Sequence, residues 1–164
     1  MLLVYLELFV IAFFVPKFYE TDMFKKFING VQYSEIPFYL HKIVEENRPL
    51  TWTVVSYVQE YSKVLGKGYM INVNEFILKY DPRAKYLPIP TPKIYIFVED
   101  IPHRYTGKEE WYYRWRYDIE RSLKEWVAIY SATHNNIKIY GKTNLLTVYE
   151  IDNSEYVKML EKKK

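Results

Sequence analysis

Hydrophobic and polar positions divide the chain into an oily opening and a patterned remainder. Met1 to Val15 (MLLVYLELFVIAFFV) is apolar but for Glu7, and Pro16-Lys17 closes it. As a helix this run spans roughly 22 Å, short of the roughly 20 residues that a bilayer core of about 30 Å requires. Glu7 adds about 2.5–3.5 kcal/mol to the cost of insertion. A signal peptide would carry a basic start and a small-residue cleavage site, and the run has neither. The expectation is the outer part of a membrane helix, the last one of a longer polytopic chain. A complete short span and a buried core helix are the alternatives.

Beyond Pro16 the period shortens to that of surface helices. Phe18, Met23, Phe24, Phe27 and Ile28 share one face and stop at Gly30. Ser34 then caps a second helix with Pro37 in its first turn, carrying Phe38, Leu40, Ile43 and Val44 ahead of Arg48-Pro49. Residues 17–50 therefore read as a helical juxtamembrane stalk.

From Thr51 strands and helices alternate. Thr51–Val55 is β-branched and aromatic, a strand. Ser56 and Gln59 form a capping box for a helix over Tyr57–Leu65, ended by Gly66-Lys67-Gly68. A short strand, Tyr69–Ile71, leads to Asn72 and Glu75, which start a helix running to Tyr80. Four prolines between 82 and 92 keep that stretch extended, and Lys93–Val98 (KIYIFV) is the strongest buried strand.

Thr106 and Glu109 open the longest helix, about Gly107 to Ser131. Tyr112, Trp115, Ile119, Leu123, Trp126 and Tyr130 make its apolar stripe. Its polar face offers the pairs Glu110–Arg114, Arg116–Glu120 and Arg121–Glu125. Asn136–Tyr140 and Leu145–Ile151 form a hairpin around Gly141–Asn144, and Ser154–Glu161 is a last short helix. The predicted fold class is α/β: a mixed sheet of about four to five strands with packed helices, preceded by an N-terminal membrane helix. Its parts are a membrane helix over 1–16, the stalk over 17–50 and an α/β domain over 51–164.

Composition narrows the chemistry. The 164 residues include 23 basic and 20 acidic ones, interspersed to a net charge of +3, so no single-signed field marks a nucleic-acid surface. No cysteine is present, which removes disulfides, thiolate catalysis and cysteine zinc sites together. His41, His103 and His134 stand apart without metal-ligand spacing, so no metal is expected, and five glycines leave little material for a cofactor cradle, so no cofactor is expected either. Lys17, Lys25 and Lys26 follow the oily run while no basic residue precedes it, a bias toward a cytoplasmic domain that carries no weight where the run is the end of a longer chain.

Two clusters could bind a ligand. The first is Glu109 to Arg116 (EEWYYRWR), where Tyr112 and Trp115 belong to the core stripe while Trp111, Tyr113 and Arg114 turn away from it. Rings beside arginines can stack on sugar or base faces and grip hydroxyls or phosphates, although helix packing and surface ion pairs explain the same residues. The second lies past the carboxyl end of strand Lys93–Val98, where open α/β sheets hold their ligands. Glu99, Asp100, His103, Arg104 and Tyr105 gather there, and His103 with either carboxylate could exchange protons. A solvated polar loop is the plainer account.

Trp52, Tyr61 and Leu65-Gly66-Lys67-Gly68, then Tyr105-Thr106-Gly107, Glu110 to Trp115, Ile139-Tyr140 and Val148 to Ile151, give the chain a texture over residues 1–152. In that texture it resembles the C-terminal region of bacterial polytopic membrane proteins of the GT-C, mannosyltransferase-like glycosyltransferase class. The resemblance implies a membrane helix followed by an extracytoplasmic α/β domain that acts in cell-envelope glycan transfer. The catalytic acid of that class lies in an early loop outside this chain, so the implied role is accessory and non-catalytic. Implied partners are membrane lipid and a lipid-linked sugar or glycan acceptor, with no nucleic acid. A small membrane-anchored scaffold or interaction protein is the alternative.

Overall fold

The computed structural model describes residues 35–47, 50–56, 68–99 and 110–162, with side chains from 38 onward in the first stretch and from 118 onward in the last. The elements are α1 (Glu35–Glu46), β1 (Trp52–Ser56), β2 (Gly68–Asn72), α2 (Val73–Lys79), β3 (Lys93–Glu99), α3 (Glu110–Thr133), β4 (Ile137–Lys142), β5 (Leu146–Asp152) and α4 (Ser154–Glu161). The oily run 1–16, the helix expected over 18–28, the helix expected over 57–65 and the Thr106 capping box lie outside the described residues. Among those described, no helix is long and apolar enough to cross a membrane.

Five strands make one mixed sheet in the order β2-β1-β3-β5-β4. β1 runs parallel to β2 and to β3, whereas β5 is antiparallel to β3 and β4. The α/β class and the antiparallel closing hairpin are as the periodicity predicts. β3 is central because its sequence suits burial on both faces: Ile94, Tyr95, Ile96 and Phe97 are all fully buried.

One face of the sheet carries the main core. Val55, Ile94, Ile96, Val98 and Ile151 pack against Val73 and Phe76 of α2 and against Ile119, Leu123, Trp126, Val127 and Tyr130 of α3. The described part of the predicted stripe is therefore buried as expected, each large apolar residue contributing about 1.5–3 kcal/mol. The Trp126 indole N–H donates to the Tyr80 carbonyl at 2.6 Å, which satisfies the one polar atom on that side chain. Asn72 caps α2 by accepting from the Asn74 backbone N–H at 2.9 Å. On the outer side of α3 the expected Arg121–Glu125 pair forms at 3.7 Å.

Three details differ from the sequence reading. Ser56 is the last residue of β1 and is buried there. Gly141 and Lys142 belong to β4, with a register irregularity between Ile139 and Gly141, so the turn begins only at Thr143. Thr143 Oγ1 closes that turn by accepting from the Leu146 N–H at 3.0 Å. Finally, the compact unit that holds the sheet begins at Phe38, inside α1, and not at Thr51. Leu40 and Ile43 are buried as the stripe predicts, but Tyr39 and Asn47 complete the face while Phe38 is 65% exposed. At about 100° per residue Phe38 lies on the far side of the helix from Leu40 and Ile43.

Candidate functional site

The second face of the sheet is where polar chemistry is concentrated. Alternation along β1, β3 and β5 turns Val54, Tyr95, Phe97, Val148 and Glu150 away from the α2–α3 core, and the register sets Tyr95 directly between Val54 and Glu150. The side chains of α1 meet this face. Asn47, at the end of that helix, donates from Nδ2 to the Tyr95 hydroxyl at 2.9 Å and to the Ile43 carbonyl at 2.7 Å. The Tyr140 hydroxyl donates to Glu46 Oε2 at 2.7 Å. Tyr95 and Tyr140 meet edge to face with centroids 5.1 Å apart, and Tyr39 meets Tyr140 in the same way at 6.3 Å. Lys42 Nζ sits 4.9 Å above the Tyr140 ring, a cation–π contact.

Beneath this tyrosine layer lies Glu150, 6% exposed. Its Oε1 takes Lys138 Nζ at 3.0 Å and Lys93 Nζ at 3.9 Å, one from each flanking strand. A carboxylate so placed is tolerated because two ammonium groups neutralise it while their own heads reach water.

Both phenols are held protonated. Burial, chiefly, raises the Tyr95 phenol well above the ordinary tyrosine range, and the Glu150 carboxylate adds to this against the opposing Asn47 amide. Burial also leads for Tyr140, followed by its hydrogen bond to Glu46 and the charge of that carboxylate. Neither ring can serve as a base or nucleophile at neutral pH; each can only donate a hydrogen bond or present a face. The arrangement is thus suited to joining and positioning.

Sequence reasoning passed over these residues, although two signals were there. Tyr95 is the one hydroxyl in an otherwise apolar strand core, and Glu150 occupies an inward position of the alternating strand Leu146–Asp152. A glycine inside a strand, Gly141, is a third signal, since it commonly marks a bulge.

The six candidates taken from sequence have no described side chain. Trp111, Tyr113 and Arg114 lie in the opening turns of α3, and their side chains are outside the described set. Asp100, His103 and Arg104 also lie outside the described residues. Glu99, read as part of the polar loop, is the last residue of β3 and is buried. His134 is stacked on Tyr130 at 4.1 Å, and its Nε2 lies 3.1 Å from the Ala84 carbonyl, so it serves the core side of the molecule. Among the described residues no group of His, Asp or Glu side chains could hold a metal ion. In comparisons with known proteins, no family model, no curated sequence and no solved structure matches the chain.

Proposed function

We propose that the chain is the membrane-proximal, extracytoplasmic α/β domain of a polytopic glycosyltransferase-like membrane protein, an accessory to cell-envelope glycan transfer that performs no chemistry itself. One observation carries this reading furthest. The helix that ends the predicted juxtamembrane stalk, α1, is locked to the sheet by Asn47–Tyr95, Glu46–Tyr140 and the Tyr39 ring. A domain that must hold a glycan acceptor or a lipid-linked sugar at a fixed height above a bilayer needs such a joint. The protonated state of both tyrosines makes the joint indifferent to pH across the neutral range.

The oily run over 1–16 supplies the membrane contact, and Trp111, Tyr113, Arg114, Asp100, His103 and Arg104 are the residues assigned to the glycan. The test has two arms. Alkaline carbonate extraction of cells expressing the chain is expected to leave it in the membrane pellet, and its release removes the membrane assignment. Saturation-transfer NMR with a mannosyl acceptor glycan is expected to show contact to Trp111 or Tyr113. Retention in the pellet without any glycan contact leaves a membrane-anchored scaffold in its place.

A further inference from the structure

We draw no further inference here: the strongest candidate, the groove beside Ile137, Ile139 and Tyr149 along the edge strand β4, carries nothing because Lys138 is already paired with Glu150 and nothing in the structure shows what covers that edge.

Discussion

Gly141 stands where the ring of Tyr39 leaves no room for a side chain: a Cβ there would fall against the ring edge, 2.6 Å from Cζ and 2.7 Å from the hydroxyl oxygen. The contact joins α1 to the bulged edge strand, at the one point where β4 departs from regular register. Gly141→Ala is therefore expected to push the Tyr39 ring away from β4. Overpacking of this kind costs about 1–3 kcal/mol. Urea unfolding measures it, and in a Tyr39→Ala background the same change should cost little, because the two residues are in contact and not additive. Simple additivity of the two losses would mean that the ring and the glycine do not constrain each other.

Tyr95→Phe tests the joint from the sheet side. It deletes the hydroxyl that accepts from Asn47 and leaves a buried amide N–H short of a partner. A loss of about 1–3 kcal/mol is expected, since the desolvated donor remains. Asn47→Ala should cost a similar amount, and the double variant should cost little more than either alone. Limited proteolysis after Lys42 would report loosening of α1 directly.

The Glu150 cluster is expected to respond asymmetrically. Glu150→Gln leaves Lys93 and Lys138 without their carboxylate, but Lys138 is mostly in water and can simply resolvate. Removing both lysines, as Lys93→Met with Lys138→Met, strands the buried carboxylate instead. Breaking a buried pair in that direction costs about 3–5 kcal/mol, well above the loss from the glutamine variant. Thermal unfolding of the two variants side by side settles the order; equal losses would show the carboxylate to be better hydrated than its burial implies.

The α2–α3 side of the sheet was legible in sequence because one-sided patterns are unambiguous there. Leu123, Trp126 and Tyr130 fall on a single stripe, Asn72 sits where a cap must, and the apolar run of β3 admits no reading but a buried strand. The opposite face was not legible. Its joint depends on Asn47 and Glu150, residue types that pattern reading assigns to solvent, and on Tyr39 and Tyr140, which lie on no predicted stripe. An apolar helical stripe such as Leu40 and Ile43 also looks the same whether it meets a sheet or a membrane surface, which is why α1 reads as a stalk. Gly141 reads as a turn because only the distant Tyr39 ring explains a glycine within the strand.

The pH dependence of stability follows from three phenols and one carboxylate. Tyr95, Tyr140 and Tyr130 all have their ionisation raised, each chiefly by burial. A raised value in the folded state means that the stability these groups confer is fully present below the unfolded tyrosine value of about 10, and is lost as pH climbs from there toward the folded values. Asp152 acts at the other end. Hydrogen bonds from Ser154, whose N–H lies 2.9 Å from Oδ1, hold its carboxyl below the ordinary range. Its contribution is present above the unfolded carboxylate value and lost as pH falls through the folded one. Urea midpoints taken across pH should therefore be level near neutrality, bend down above about pH 10 and bend down again in acid. Tyr95→Phe is expected to make the alkaline descent shallower, Asp152→Asn to flatten the acid one, and each to leave the other limb in place. An alkaline limb unchanged by both Tyr95→Phe and Tyr140→Phe would mean that those rings ionise as readily in the fold as in the open chain, and that the α1 joint is wetter than its geometry implies.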